Sequence, residues 1–373
     1  MEKVVVSRCA SYEQDAVDRA LERLLHPLGG IGRFVRPGQR VLLKPNMLAA
    51  RRPEEAVTTH PALVAGVVRA VVSAGGMALV GDSPGIGSLA RVGEKSGIRA
   101  AVEESGGRMV NFGETDSVGG GPTFRSLELA RAYCEADLVI NLPKLKTHEM
   151  MTLTCGVKNL FGAVVGTAKA GLHLTAGRSK ELFAGLLLEI AHARPVALTI
   201  VDAILAMEGN GPNSGTPRQL GLLLAGENPI AVDTVAARIA GIPADLLPVE
   251  QEARRRGLAG TEAERIDLCG DPVPLPVQPP FRLPEGLDVQ FGLPAFLKPL
   301  LRNQLSPLPA ADPARCVLCG ICRDACPPGA ITIRNNALKV NSGRCIRCWC
   351  CRELCPHHAL TVRKGLVLRL LGR

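Results

Sequence analysis

Two quartets of cysteines near the C-terminal end constrain the fold of this chain more than any other feature. Each quartet reads C-x2-C-x2-C-x3-C, a proline follows each, and the second quartet begins 29 residues after the first. Such short gaps let one tight loop wrap three corners of an iron–sulfur cube, while the fourth cysteine binds the neighbouring cube. The spacing therefore predicts two [4Fe–4S] clusters. Cluster I takes Cys316, Cys319, Cys322 and Cys355, and cluster II takes Cys345, Cys348, Cys351 and Cys326.

A pair of zinc sites is the alternative interpretation of the same cysteines. Zinc sites use C-x2-C pairs separated by longer loops, often with histidine, and these quartets lack that spacing. A short β-type run follows each quartet, at 330–333 and 359–362. With all eight ligand positions matched, the segment resembles the bacterial two-cluster ferredoxin domain. Cys350 is an extra thiol between ligands, and the pattern favours a passenger over a substitute ligand.

The formal charge of +9 suggests an anionic partner, but it does not include the negative charge of the clusters. Each oxidised cluster with its four thiolates carries about −2, so the loaded protein is nearer about +5. Aromatic residues make up 3% of the chain and no basic stripe is visible. This composition argues against nucleic-acid binding. A redox partner protein or a small anionic substrate fits it.

The remaining cysteines indicate a reducing compartment. Five of the 13 cysteines are assigned to no cluster, and they are scattered along the chain. An odd, scattered set is weak support for disulfides. No signal-peptide pattern is present, and no apolar run approaches the ~18 residues of a spanning helix. We therefore expect a cytoplasmic protein, whose basic amphipathic tail at 365–373 packs on its own domain rather than on a membrane surface.

Upstream of the quartets, short apolar strands alternate with amphipathic helices. This alternation predicts an α/β fold over residues 1–271, with a largely parallel sheet and flanking helices. Prolines crowd residues 272–311, which favours a linker that packs along the surface. A small α+β two-cluster ferredoxin domain then occupies residues 312–364. The predicted strands are 4–6, 41–43, 78–80, 137–140, 197–201 and 220–224, and the predicted helices include 13–25, 60–73 and 230–239.

Polar side chains follow several predicted strands at the point where each strand ends. Ligands of open α/β sheets bind at the carboxyl ends of strands, so we expect these side chains to converge. The candidate catalytic residues are Lys144, Lys146, His148, Lys158 and Asp202. The candidate cofactor-binding residues are Lys44, Asn46, Asp82, Ser83 and Gly85.

Each candidate has a functional and a structural interpretation. The lysines suit a carboxylate or phosphate, or an acid/base with a lowered pKa; otherwise they lie in a solvated loop. His148 suits a general acid/base or metal ligand, or a hydrogen-bonded structural residue. Asp202 suits a strand-end carboxylate that pairs with a cation or binds a metal. The glycine-rich loop 81–88 suits an anion held by its amides at a helix N-terminus, or an ordinary turn in which Asp82 caps the helix.

Several of these motifs together resemble the family called domain of unknown function 362, which is often fused to a two-cluster ferredoxin. The motifs are Lys44-Pro45-Asn46, Gly81-Asp82-Ser83-Pro84-Gly85, the run 141–148 and the run 156–162. The resemblance covers roughly residues 3 to 270 and implies no particular substrate. The segment from 136 to 158 is also similar to nickel-pincer lactate racemases. That similarity implies a catalytic role for His148 and cofactor attachment at Lys158.

Three functions are compatible with these observations. The first is a ferredoxin-linked oxidoreductase that relays electrons between the clusters and a ligand, or an additional metal or organic cofactor, in the α/β domain. The second is an electron-transfer subunit whose large domain docks a partner protein, which predicts no small-molecule pocket. The third is an isomerase or ligand-binding domain with structural or sensory clusters. Because Arg344, Arg347 and Arg352 lie near its ligands, we also predict that cluster II has the higher potential.

Overall fold

A computed structural model of the protein describes residues 1–166, 168–177, 179–286 and 306–365. The strands are β1 (Glu2–Arg8), β2 (Arg40–Pro45), β3 (Met77–Val80), β4 (Arg108–Met109), β5 (Thr115–Gly119), β6 (Ser126–Ala130), β7 (Leu138–Leu142), β8 (Lys144–His148), β9 (Thr152–Thr154), β10 (Leu198–Glu208), β11 (Thr216–Gly226), β12 (Ile266–Gly270), β13 (Leu308–Ala311), β14 (Ile331–Arg334), β15 (Ala337–Val340) and β16 (Leu360–Arg363). The helices are α1 (Gln14–Leu25), α2 (Pro61–Ser73), α3 (Leu89–Lys95), α4 (Ile98–Glu104), α5 (Arg131–Cys134), α6 (Gly156–Asn159), α7 (Ala168–Ala176), α8 (Lys180–Ala193), α9 (Pro229–Ala240), α10 (Pro248–Arg255), α11 (Ile321–Asp324) and α12 (Cys350–Glu353).

The large domain is built on one mixed, mostly parallel sheet, as the strand–helix alternation predicts. Among the described residues its order is β12-β1-β11-β10-β7-β2-β3-β4, with β8 and β9 branching from β10. The pairs β2–β3, β2–β7, β3–β4 and β7–β10 are parallel. The carboxyl ends of β2, β3 and β7 therefore lie at one edge of the sheet, where the polar loops follow.

Helices cover both faces of this sheet. Side chains alternate along a strand, so Val41 and Leu43 pack in one buried cluster with α1 and α2,. Leu42 points the other way, into a cluster that contains Phe183 of α8. The core is mainly aliphatic, in keeping with the low aromatic content of the chain.

Two parts of the sheet differ from the sequence-based prediction. The run 144–148 is a fully buried strand rather than the polar loop expected after β7. It forms because it pairs with both β10 and β9. In addition, β10 and β11 are long antiparallel partners, so Asp202 lies inside β10 and not at a strand end. The apolar stretches used for prediction marked only part of each of these strands.

The C-terminal domain is an internal repeat, as the spacing of the quartets indicates. The elements β13, α11 and β14 recur 29 residues later as β15, α12 and β16. Left-handed backbone recurs in register: Leu318 and Gly320 in the first loop correspond to Arg347 and Trp349 in the second. The strands close the repeat by pairing β13 with β16 and β14 with β15. Strand β13 begins at Leu308, within the stretch predicted to be linker.

The proline-rich segment packs on the large domain as far as the structure describes it. Phe281 is buried, and its amide donates to the carbonyl of Ala240. Residues 287–305 of the predicted linker and residues 366–373 of the predicted tail lie outside the described residues. Within the described ranges, no helix is both long enough and apolar enough to cross a bilayer.

Candidate functional site

A cavity of about 420 Å³ lies between the two domains, and we call it the interdomain cavity. The large domain lines it with residues that follow β2 and β3, with β8, and with residues of the segment from α6 to α7. The ferredoxin domain contributes Asp324, Ala325, Cys350, Glu353 and Leu354. Ala325 precedes Cys326, and Cys350 lies between Cys348 and Cys351. The cavity therefore touches the loops that carry the predicted ligands of cluster II.

Strand β8 directs its three ionisable side chains to one face. Successive side chains of a strand point to opposite faces, so Lys144, Lys146 and His148 share a face. All three side chains are buried. Lys146 and His148 line the interdomain cavity, whereas Lys144 lies outside its lining.

Lys146 is a buried lysine held by neutral acceptors. Its Nζ donates to Asn46 Oδ1 at 2.9 Å and to the carbonyl of Val57 at 2.8 Å. Burial, reinforced by the charge of Lys144, lowers the pKa of Lys146 to about 7,. Near neutral pH this side chain therefore gains and loses a proton readily.

His148 connects the large domain to the ferredoxin domain. Its Nδ1 accepts hydrogen bonds from the amides of Met150 and Met151, at 3.0 and 3.1 Å. This places the ring proton on Nε2, which lies 3.2 Å from Glu353 Oε1,. Burial lowers the pKa of His148 and raises the pKa of Glu353. The neutral ring is thus fixed in one orientation, with its proton aimed at the ferredoxin domain.

A second cationic group lines the same cavity beside aromatic rings. Nζ of Lys158 lies 4.9 Å from the ring centre of Phe161 and 5.8 Å from that of Phe183. Within the described residues no carboxylate lies at ion-pair distance from Lys158. Burial lowers its pKa, because its charge is removed from water without a counter-ion in contact,.

Lys169 and His173 of α7 complete this side of the cavity. Lys169 donates to the carbonyls of Ser83 and Pro84, and burial lowers its pKa to about 8. His173 stacks on Phe183 with ring centres 4.2 Å apart, and burial lowers its pKa to about 3. Its Nδ1 is buried and has no hydrogen-bond partner among the described residues.

Lys144 and Asp202 form a closed buried network. Lys144 Nζ lies 2.9 Å from Asp202 Oδ2 and donates to the hydroxyl of Tyr12 at 2.8 Å. Tyr12 in turn donates to Asp202 Oδ1 at 2.6 Å, and the amide of His60 donates to Asp202 Oδ2 at 2.8 Å. Each charged group is thus satisfied by another, which is what makes complete burial tolerable.

Lys44 and Asp82 form a second buried pair at 2.8 Å, in which Asp82 lines the cavity and Lys44 lies behind it. Asp82 also accepts from the amide of Met47 at 2.8 Å. Gly162 lies against the pair: a Cβ there would stand 2.0 Å from Asp82 Oδ1 and 2.5 Å from Lys44 Nζ. Only glycine fits this position without displacing the two charges.

Several amides of the loop 81–88 are already hydrogen-bonded within the protein. The amides of Ser83, Gly85 and Ile86 already donate to the carbonyls of Gly162 and Leu48. The helix after the loop is capped by Ser88, whose Oγ accepts from the amide of Arg91 at 3.3 Å, and not by Asp82. The loop lines the cavity with Asp82, Ser83, Pro84, Gly85 and Gly87.

A chain of asparagine amides orients the polar floor. Asn46 Nδ2 donates to Asn159 Oδ1 at 2.9 Å, and Asn159 Nδ2 donates to Asn141 Oδ1 at 2.8 Å. The chain ends at Lys146, which donates to Asn46. Asn141 and Asn159 lie in motifs that the sequence singles out, but sequence reasoning gave a role only to Asn46.

Two small cavities in the ferredoxin domain are lined by the cysteine quartets. Cys316, Cys319, Cys322 and Cys355 line one, and Cys326, Cys345, Cys348 and Cys351 line the other. The amides of Ala330 and Ala359, equivalent in the repeat, donate to Cys326 Sγ and Cys355 Sγ at 3.1 and 3.3 Å. Amide-to-sulfur bonds suit thiolate ligands of an iron–sulfur cluster. The residues present therefore fit two such clusters.

Comparison with known proteins places this architecture in a family. The family description "Domain of unknown function (DUF362)" matches residues 41–238, and the description "4Fe-4S dicluster domain" matches residues 308–356. The chain belongs to the DUF362 family. It is also 40% identical over 304 residues to Thylakoid-associated protein sll1697 of Synechocystis sp., covering 81% of this chain and 94% of the relative.

Two solved structures show a distant likeness to this DUF362 protein. The lactate racemase apoprotein from Thermoanaerobacterium thermosaccharolyticum aligns with a TM-score of 0.43 and 15% identity, over 64% of this chain and 57% of the racemase. A protein from Thermotoga maritima aligns with a TM-score of 0.38 and 13% identity, over 58% of this chain and 56% of that chain.

The DUF362 domain brings together only part of the predicted set. The predicted residues that line the interdomain cavity are Lys146, His148, Lys158, Asn46, Asp82, Ser83 and Gly85. Lys44, Lys144 and Asp202 lie in the buried pairs beside it. Sequence reasoning missed Lys169, His173 and Glu353. The first two lie on a helix with no polar motif, and Glu353 reaches the cavity only because the two domains pack together.

Proposed function

We propose that this protein is an iron–sulfur oxidoreductase that reduces or oxidises a small anionic ligand in the interdomain cavity. One observation carries the proposal. The same cavity is lined by acid/base and cationic groups of the DUF362 domain and by residues adjacent to cluster-binding cysteines. A ligand there would lie beside cluster II and beside groups able to bind it and to move protons.

The charge of the lining supports an anionic ligand. Lys146, Lys158 and Lys169 are hydrogen-bonded only to neutral acceptors or lie over aromatic rings. A carboxylate or phosphate would supply the counter-charge that these buried lysines lack, and would raise the pKa of each. His173 Nδ1 would accept a hydrogen bond from a ligand hydroxyl.

Two residues are placed to exchange protons with such a ligand. With a pKa of about 7, Lys146 is matched to proton transfer near neutral pH,. His148 holds its ring proton between the cavity and Glu353, which makes this pair a path between ligand and ferredoxin domain. Lys144 and Asp202 would act as positioning residues, because their buried network fixes β8 against β10.

The clusters would supply single electrons, held by the two cysteine quartets. The cavity favours this function over a purely electron-transferring subunit, for which no small-molecule pocket is expected. The clusters as merely structural parts of an isomerase remain the alternative. An enzyme of that kind would keep its activity when Cys348→Ser removes a cluster ligand without unfolding the chain.

The experiment is a single-turnover reoxidation of the fully loaded protein. Anaerobically purified protein, reduced with dithionite and freed of excess reductant, is mixed with a panel of small carboxylates and phosphate esters. The recovery of cluster absorbance is then followed. We expect at least one anion to reoxidise the clusters, and Lys158→Gln to slow that reaction tenfold or more.

Lys339→Gln is the matched control, because Lys339 is an exposed lysine of the ferredoxin domain. It should react like the wild type. Reoxidation that is unaffected by both Lys158→Gln and Lys146→Gln would contradict a reaction in the interdomain cavity.

We propose the cytoplasm as the compartment, with a membrane surface as the alternative. The name of the Synechocystis relative associates that protein with thylakoids. Fractionation of cells into soluble and membrane fractions at low and high salt distinguishes the two, since a surface-bound protein moves to the soluble fraction as salt rises.

A further inference from the structure

The two halves of the ferredoxin domain are equivalent in fold but not in surroundings. In the second half, Ile346, Cys348, Trp349 and Cys350 pack into the core that the ferredoxin domain shares with the large domain. The equivalent residues of the first half are Val317, Cys319, Gly320 and Ile321. The loop is therefore buried in the second half of the ferredoxin domain and exposed in the first half.

The outward loop leaves apolar surface open beside cluster I. Val317 is 61% exposed and Ile321 is 38% exposed. Cys319, a predicted cluster I ligand between them, is exposed as well. All three line the cysteine cavity of the first quartet. Adjacent exposed apolar side chains with a polar rim mark a candidate interaction surface.

A basic groove adjoins this loop. An open groove of about 980 Å³ runs from Arg315, next to Cys316, to Arg52 and Lys95 on the large domain. Among the described residues Arg52 and Lys95 form no ion pair, and Arg315 pairs only loosely with Asp312, at 3.6 Å. The acidic residues of the groove are Glu54 and Glu55, and Arg51 pairs with Glu55.

We propose that Val317, Cys319 and Ile321, together with the rim Arg52, Lys95 and Arg315, form the docking face for a small acidic electron-carrier protein. An apolar centre with a charged rim is the usual anatomy of such an interface. The basic rim selects an acidic partner and steers its approach. One electron passes between the carrier and cluster I in each encounter; one protein is oxidised and the other reduced by one electron, and no bond is broken.

This proposal rests on the proposed function and adds the place at which the carrier exchanges electrons with the protein. Cluster I, held by its four cysteines, would lie beside the docking face, and cluster II would lie beside the interdomain cavity. The carrier and the anionic ligand therefore meet the protein at opposite ends of the pair of clusters.

The first test is binding, measured by calorimetry with the full, cluster-loaded chain and a plant-type [2Fe–2S] ferredoxin as the acidic carrier. We expect the affinity to fall steeply as salt rises. We expect Arg52→Glu with Lys95→Glu, and separately Ile321→Glu, to weaken binding tenfold or more at low salt. Arg19→Glu is the control, since Arg19 is an exposed arginine on α1, and it should bind within twofold of wild type.

The second test is the rate of electron exchange between the carrier and the protein, followed by stopped flow. It should fall in the same variants, while reduction by dithionite and reoxidation by the cavity anion stay unchanged. Reoxidation by the cavity anion reports on the proposed function, and reduction by dithionite shows that the clusters are intact, so each proposal fails separately.

The proposal is overturned if the wild type binds neither this ferredoxin nor an acidic flavodoxin. It is also overturned if the charge-reversed variant binds like Arg19→Glu. Two further results would assign the face to another occupant: a concentration-dependent dimer lost in Ile321→Glu, or binding to vesicles with anionic lipid lost in the same variant.

Discussion

At the scale of single residues, the cavity is lined by lysines whose pKa is lowered by burial. Lys146 has a pKa of about 7 because it is buried among neutral acceptors. Its positive charge is present below that pH and is lost as the pH rises through it. A bound anion needs the charged form, so binding and pH are linked.

We predict that malonate, which is largely a dianion at both pH values, raises the Tm of the loaded protein more at pH 6 than at pH 8.5. In Lys146→Gln this stabilisation should fall by about 1.5–3 kcal/mol at pH 6, the size of one hydrogen bond to a charged group. Differential scanning fluorimetry at both pH values measures it, with Lys339→Gln as control. An anion effect that is equal in Lys146→Gln and wild type would remove Lys146 from the binding site.

A second residue-scale prediction concerns Gly162. A Cβ at this position would lie 2.0 Å from Asp82 Oδ1, so Gly162→Ala must displace the buried Lys44–Asp82 pair. We expect a loss of about 1–3 kcal/mol or more, the usual range for overpacking. Gly32→Ala is the control, because nothing lies within 4 Å of a Cβ there. Equal Tm values for the two variants would contradict the packing of this pair.

At the scale of elements, sequence patterns predicted what local periodicity determines. The helix 13–25 and the strand 41–43 are recovered as α1 and β2, since apolar spacing marks a buried face directly. Strand β8 was not predicted, because its lysines indicate a polar loop. These lysines are buried only because partners that are distant in sequence, such as Asp202 and Val57, accept their hydrogen bonds. The sequence did not predict the role of Glu353 for the same reason, since that role depends on the packing of the two domains.

The contact between the turn after β8 and α12 carries an element-scale prediction. Glu149 and Arg352 form a buried ion pair there, and burial lowers the pKa of Arg352 to about 10. The charge of Arg352 is therefore offset, which weakens its contribution to a high potential at cluster II. Arg344 and Arg347 remain as the groups behind that prediction.

Redox titration of two variants tests this pair. Arg352→Gln leaves an unpaired carboxylate and should lower the midpoint potential of cluster II. Glu149→Gln leaves an unpaired guanidinium and should raise it, and each single variant should be less stable by about 3–5 kcal/mol. The double variant should return towards the wild-type potential. Shifts of the same sign in both single variants would contradict the pairing.

At the scale of the whole molecule, the account depends on the packing of the ferredoxin domain against the large domain. The cysteine spacing predicted both clusters and the repeat, and the family comparison confirmed a DUF362 domain joined to a dicluster domain. Neither predicts that the interdomain cavity is lined by residues next to the predicted ligands of cluster II. That placement comes from Trp349 and its neighbours packing into the core beneath α8, a contact between segments far apart in the chain.

The most direct measurement is pulsed electron–nuclear double resonance on the reduced protein with ¹³C-labelled malonate, an anion that does not reoxidise the clusters. The account predicts a ¹³C hyperfine coupling to cluster II that disappears in Lys158→Gln and persists in Lys339→Gln. A bound anion with no coupling to either cluster, or a coupling that Lys158→Gln leaves intact, would contradict a ligand in the interdomain cavity.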